Sequence, residues 1–157
     1  LYYHYGIPKY QMEKKLSGIY THRLLDRKVP LVRGMDDYIM APHSRYTEIR
    51  RKDVAEHKEL QILAESSQAG LFLIMKRDGS QIFVQGHPEY DRMTLNNEYH
   101  RDVSKGLTPQ IPYNYYENND PFAMPVLSWR NMSTTLYSNW LNYYVYQETP
   151  YDLYEKQ

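Results

Sequence analysis

The middle of the chain carries the clearest pattern of apolar and polar positions. Gly70 opens the run Leu71-Phe72-Leu73-Ile74-Met75, and after Arg77-Asp78-Gly79-Ser80 a second run follows, Ile82-Phe83-Val84. Two short apolar runs joined across Asp-Gly predict a β-hairpin. Both arms are apolar throughout their centres, which predicts covering layers on both of their faces. Weaker β signals lie at 18–25, at 37–41 (ending at Pro42-His43-Ser44-Arg45) and at 60–64. Residues 9–17 are polar and mixed, and the charged stretch 47–57 predicts a short helix. Leu95, Tyr99 and Val103 recur every four residues, so 91–105 reads as a helix stopped by Gly106. Pro109, Pro112, Pro121 and Pro125 make 107–125 an irregular segment that wraps a surface. A longer helix is predicted over 129–147, capped by Ser128, with Trp129, Met132, Leu136, Trp140 and Tyr144 along one side.

The first residues change the picture of the whole. Leu1-Tyr2-Tyr3-His4-Tyr5 reads as the last turn of a helix, with Gly6 and Pro8 as its stop. The helix has no beginning and no initiator methionine stands before it, which predicts a preceding portion of the same protein. The 157 residues themselves suit one domain with a real core. Basic and acidic residues balance at 19 each, so neither nucleic acid nor an anionic membrane surface is indicated as the main partner. No apolar run approaches the roughly 18 residues of a membrane-spanning helix. There is no cysteine, which excludes disulfides and thiolate metal sites and fits a cytoplasmic chain.

Candidate chemistry concentrates just after the hairpin, at Gly86-His87-Pro88-Glu89-Tyr90. A histidine and a carboxylate two residues apart project to the same side of extended backbone. Pro88 favours that geometry by keeping His87 out of the helical region. A carboxylate beside an imidazole selects its tautomer and stabilises the imidazolium, so His87 and Glu89 form the base-and-orienter half of a triad. A structural ion pair is the plainer alternative. The six histidines show no metal-ligand spacing, and no phosphate-binding glycine loop or Gly-x-Ser-x-Gly occurs. Ser44, next to His43, is a hydrogen-bonding group for a cleft wall. Arg101 is either a solvated helix residue or, one helix beyond His87, a bidentate clamp for a substrate carboxylate. The residues alone give an α/β domain with a His–Glu pair at a strand end, and name no reaction.

Several stretches together do more. Tyr5-Gly6-Ile7-Pro8-Lys9-Tyr10, Ala41-Pro42-His43-Ser44-Arg45, the ten residues from Gln81 to Tyr90, and Ser138-Asn139-Trp140-Leu141-Asn142-Tyr143-Tyr144-Val145-Tyr146-Gln147-Glu148-Thr149-Pro150-Tyr151 closely resemble the bacterial homoserine O-acyltransferases of methionine biosynthesis. The resemblance runs nearly the whole chain. It implies a three-layer α/β fold of the class I glutamine-amidotransferase (flavodoxin-like) kind, of which 1–157 is the C-terminal part. It also implies a ping-pong transfer in which a cysteine takes the acyl group from acyl-CoA, as co-substrate with no bound cofactor, and passes it to L-homoserine. By resemblance His87 is the general base, Glu89 its orienter, Arg101 the residue for the homoserine carboxylate, and Lys15 and Ser44 are substrate-contacting positions. Acetyl-CoA is the expected donor, with succinyl-CoA as the alternative. In that family the nucleophile sits at a strand-to-helix elbow just before the position of Leu1, so it is expected in the missing N-terminal portion. A glutamine amidotransferase would share the triad, and a non-catalytic binding fragment is the reading if no upstream cysteine exists. A homodimer is a further expectation.

Overall fold

The computed structural model describes residues 1–147; Glu148-Thr149-Pro150-Tyr151, the end of the last motif above, lie outside the described residues. A single helical turn, α1 (Tyr2–Tyr5), ends at Gly6 in the left-handed conformation, as its sequence predicts. Five strands follow: β1 (Tyr10–Leu24), β2 (Tyr38–Glu48), β3 (Leu60–Ser66), β4 (Gly70–Lys76) and β5 (Ile82–Val84). They form one antiparallel sheet in the order β2-β1-β3-β4-β5. A short 3-10 turn (Pro30–Val32) precedes β2, and the helix α2 (Arg51–Ala55) follows it. Beyond the sheet come α3 (Thr94–Ser104), a turn at Glu117–Asn119, α4 (Arg130–Trp140) and a wider π turn, Leu141–Val145.

β4 is buried on both faces, as predicted. Phe72, Leu73 and Met75 join the larger core with Ile19, Leu63, Leu95, Trp129 and Leu136. Leu71 and Ile74 join a smaller cluster with Ile7, Ile49, Val54 and Leu60. Strict alternation would not send both Phe72 and Leu73 to one side. The pairing register steps irregularly between Ile62–Ile74, Ala64–Leu73 and Glu65–Leu71, and this bulge is what turns Phe72 inward. β5 departs from expectation: it is a three-residue edge strand, half exposed and not enclosed by two layers.

Four further departures shape what lies above the sheet. β2 does not stop at Pro42 but continues to Glu48, so Ala41-Pro42-His43-Ser44-Arg45 is strand. β1 begins at Tyr10, and between the pairs Gln11–Thr47 and Leu16–Arg45 it carries three more residues than β2. That excess lifts the polar stretch Met12-Glu13-Lys14-Lys15 out of register, which hid the strand in the sequence. On α3, Leu95 and Asp102 are buried while Val103 is 45 % exposed, so the inward face is Leu95-Glu98-Asp102. Helix α4 starts one residue after the expected place, at an N-cap Trp129 without a side-chain cap, and Ser128 does not cap it. Trp129, Met132 and Leu136 are buried as predicted, whereas Trp140 is exposed where the helix widens.

The 107–125 segment wraps the sheet and is pinned to β1 at Tyr113. Tyr113 donates its amide to the Ser17 carbonyl at 2.9 Å, and its own carbonyl accepts from Ile19 at 2.8 Å. Gly18 lies between them with φ near +139°, and a Cβ there would sit 2.4 Å from Tyr113 backbone atoms. Only glycine fits under that crossing.

The core also holds two histidines. His22 on β1 and His43 on β2 are both 0 % exposed, with their Nε2 atoms 3.0 Å apart. Burial pushes His22 down to about 4 and His43 to about 2, the second helped by its neighbour's charge. Both rings are therefore neutral in the fold but take up protons when unfolded.

Two outcomes follow from these contacts. Gly18→Ala should destabilise the protein by about 1–3 kcal/mol or more, because the crossing backbone must move; chemical unfolding of the variant measures it. Folding stability should also fall as pH drops from about 6.5 toward about 4, by up to about 1.4 kcal/mol per pH unit for each ring. Carboxylates such as Glu98, held below their usual value of 4.5, add to the loss only from about pH 5 downward. A flat unfolding midpoint between pH 6.5 and 4.5 would contradict the neutral pair.

Candidate active site

His87 and Glu89 come together, but not through extended backbone. Residues 87–90 form a tight turn in which the Tyr90 amide donates to the His87 carbonyl at 3.1 Å. Pro88 occupies the second position, where its fixed φ suits a turn. The turn brings Glu89 Oε1 to 2.8 Å from His87 Nδ1. Glu89 accepts at Nδ1, so that nitrogen carries the proton and Nε2 is left as the basic atom.

Three neighbours hold the turn. The His87 amide donates to the Pro42 carbonyl of β2 at 2.8 Å. From α4, Ser133 Oγ donates to the Pro88 carbonyl at 2.7 Å and Trp129 Nε1 to the Tyr90 carbonyl at 2.9 Å. Gly86 lets the chain approach β2 and β4, since a Cβ there would lie 2.7 Å from Pro42 O and 3.0 Å from the Phe72 ring. The His87 ring stacks on Tyr90, with centroids 4.3 Å apart and planes 10° from parallel.

Tyr90 connects this pair to the other candidates. Its hydroxyl donates to Glu98 Oε1 at 3.0 Å. The other Glu98 oxygen accepts from Ser44 Oγ at 2.5 Å and from Lys15 Nζ at 3.0 Å. Lys15 lies 3.9 Å from Asp102 Oδ2, and Asp102 Oδ1 accepts from Arg101 Nε and Nη2 at 3.0 and 2.8 Å. All five sequence-derived candidates thus lie along one continuous set of contacts, from Glu89 through His87, Tyr90, Glu98, Ser44 and Lys15 to Asp102 and Arg101. Lys15 arrives through the irregular register of β1, and Ser44 through the unexpected extension of β2.

The electrostatics follow from those partners. Burial alone would raise Glu98, but the bonds from Ser44, Lys15 and Tyr90 outweigh it and hold the carboxyl below its ordinary range. The same burial and the Glu98 bond push the Tyr90 phenol up to about 12, so it stays a donor. Asp102 is held low by the Arg101 guanidinium. Beside this cluster opens a cleft of about 470 Å³ lined by Lys14, Lys15, Ser17, Tyr46, Tyr99 and Asp102 together with the 107–112 loop. Among the described residues no group of His, Cys, Asp and Glu side chains is placed to hold a metal ion. No described helix is long and apolar enough to cross a membrane.

Tyr90, Glu98 and Asp102 are the residues that sequence reasoning missed. A signal for two of them was present. Glu98 and Asp102 stand four apart beside Leu95, so one face of α3 pairs an apolar residue with two acids, an arrangement that asks for buried cations. The supports from Pro42, Trp129 and Ser133 had no sequence signal, because each is long-range and two of the three use backbone carbonyls of the turn.

Comparison with known proteins adds the family. The fold is shared with glutamine amidotransferases. One from Methylobacillus flagellatus matches with a TM-score of 0.57 at 10 % identity over 96 % of this chain and 59 % of that one. One from Thermotoga maritima matches with a TM-score of 0.55 at 13 % identity over 85 % and 53 %. In sequence, a protein named homoserine O-acetyltransferase from Agathobacter rectalis is 60 % identical over 152 residues, covering 97 % of this chain and 49 % of its own. Another of that name from Lachnospira eligens is 56 % identical over 155 residues, covering 99 % and 50 %. The chain spans about half the length of the curated relatives it matches. The family model described as homoserine O-succinyltransferase matches residues 1–151, and the chain belongs to that family.

Proposed function

We propose that this chain supplies the general base and the acceptor-binding groups of a homoserine O-acyltransferase. In the proposed reaction a cysteine attacks the thioester of acyl-CoA, coenzyme A leaves as its thiol, and the hydroxyl of L-homoserine then takes the acyl group from sulfur. The 157 residues contain no cysteine, so the nucleophile is supplied by polypeptide outside them. The observation that carries the reading is the 2.8 Å contact between His87 Nδ1 and Glu89 Oε1, on a turn fixed from three sides. With Nδ1 engaged, Nε2 accepts the thiol proton and later the homoserine hydroxyl proton, and Glu89 stabilises the imidazolium formed each time.

The ion-paired cluster suits an amino-acid acceptor. A carboxylate offers about four lone-pair sites. Glu98 has three filled, by Lys15, Ser44 and Tyr90, and the fourth suits the substrate ammonium. Arg101, half exposed and resting on Asp102, has donors to turn toward the substrate carboxylate. Acetyl-CoA is the favoured donor, because both relatives described above carry the acetyltransferase name, and succinyl-CoA is the alternative from the family description. No resident cofactor is part of this reading. It places the enzyme in methionine biosynthesis in the cytoplasm.

In the full-length enzyme His87→Ala should lower the acyl-transfer rate by about 10²- to 10⁴-fold. A variant that keeps near wild-type turnover would mean that the base lies elsewhere. Glu98→Gln should raise KM for homoserine by about tenfold, the loss of one charge-assisted contact, and leave KM for acyl-CoA nearly unchanged. Equal effects on both constants would remove Glu98 from the acceptor site. Intact mass measured after mixing with each acyl-CoA identifies the donor.

A further inference from the structure

The buried pair His22–His43 has no part in the reaction as proposed, yet it lies directly behind the reacting turn. The two rings stack, with centroids 5.0 Å apart and planes 24° from parallel. Phe72 packs on both, at 4.8 Å from His22 and 6.0 Å from His43. The Cδ2–Cε2 edge of the same Phe72 ring meets Gly86, the residue before His87. His43 also sits between Pro42, whose carbonyl takes the His87 amide, and Ser44, whose hydroxyl takes hold of Glu98. The strand that carries His43 therefore touches both limbs of the site.

The hydrogen bonds fix which nitrogen carries each proton. Arg45 is always a donor, and its Nε lies 3.4 Å from His43 Nδ1, so that nitrogen accepts. The His43 proton then sits on Nε2 and is donated to His22 Nε2 at 3.0 Å. By elimination the His22 proton is on Nδ1, a buried atom without a hydrogen-bond partner, offset in part by the nearby Tyr20 backbone. Leaving a buried donor unpaired costs stability. The arrangement tolerates that cost while every other atom of the pair is directed. The groups that face it are Arg45 from β2, the Tyr20 ring from β1 at 5.8 Å, the Gln85 backbone, and His87 from the turn.

We propose that the His22–His43 pair, keyed by Arg45, is a positioning element for His87, acting through Phe72 and the Pro42 carbonyl. The proposal rests on the reading of His87 as the base. The one-way hydrogen bond from β2 to β1 sets the height of Pro42 and the tilt of Phe72. Those two contacts set how far the Gly86–His87 backbone reaches toward the reacting atoms. Loss of the bond lets the wall settle by a fraction of an ångström, and misplacement on that scale is felt in the chemical step before it is felt in binding.

The test uses the full-length enzyme with His43→Phe, which keeps the ring shape, and His43→Gln, which keeps a donor toward His22. His43→Phe is expected to lower kcat by up to about 10²-fold with KM for both substrates little changed, and His43→Gln to recover most of that loss. Ring-nitrogen NMR of His87 is read in parallel. Wild type is expected to show Nδ1 protonated and hydrogen-bonded to Glu89, and His43→Phe to show that signature weakened. If His43→Phe does not fold, His22→Phe and Phe72→Leu carry the same comparison with the same expected outcome. Folded variants with wild-type kcat and an unchanged His87 signature would overturn the proposal. A wild-type enzyme without acyl transfer would instead overturn the functional reading, while the NMR comparison would still decide the positioning role.

Discussion

The carboxylate of Glu98 is the point on which the upper half of the molecule depends. It accepts from Lys15 of β1, Ser44 of β2 and Tyr90 of the turn after β5, and it is itself carried by α3. Three other elements thus converge on the two oxygen atoms that α3 carries. A carboxylate this covered is stable in ionised form only because each donor offsets part of its lost hydration. Their geometry is therefore constrained jointly: moving one donor weakens the hold on the others. The cleft beside the cluster takes its shape from the same constraint, since Lys15 and Asp102 stand in both.

How much of this was legible in the sequence differs by element. The hairpin, the stop at Gly6 and the buried side of α4 were readable, because apolar runs, Asp-Gly and helical spacing are local signals. The extension of β2 through Pro42 and the early start of β1 were not. In both places polar residues are held in strand by pairing with each other, and no local preference marks that. Residue type and spacing mark out His87 and Glu89, although the backbone that joins them is a turn and not an extended segment. Glu98 and Asp102 are hidden when α3 is phased on Tyr99 and Val103; phasing on Leu95 and the two acids gives the observed face. Family resemblance is what singles out Lys15, Ser44 and Arg101. Geometry supplies what links them.

The turn itself illustrates a division of labour between chemistry and support. His87 and Glu89 are partly exposed, while the groups that hold their backbone are buried in the core or in α4. Phe72 owes its reach to the bulge in the β3–β4 register, and Gly86 owes its closeness to having no side chain. An irregularity in the sheet and an unsubstituted backbone position therefore do complementary things: one advances the wall, the other admits the loop to it.

The four charged side chains of the ion-paired cluster beside the cleft, Lys15, Glu98, Arg101 and Asp102, are already mutually compensated. Such a quartet has no monopole to offer an approaching guest, only an ordered array of opposite poles. A simple anion or a simple cation entering it leaves one sign in excess in a poorly hydrated space. A molecule that carries both signs a few bonds apart can exchange partners with the quartet pole for pole. Selection would then fall on the separation of charge within the guest and hardly at all on its total.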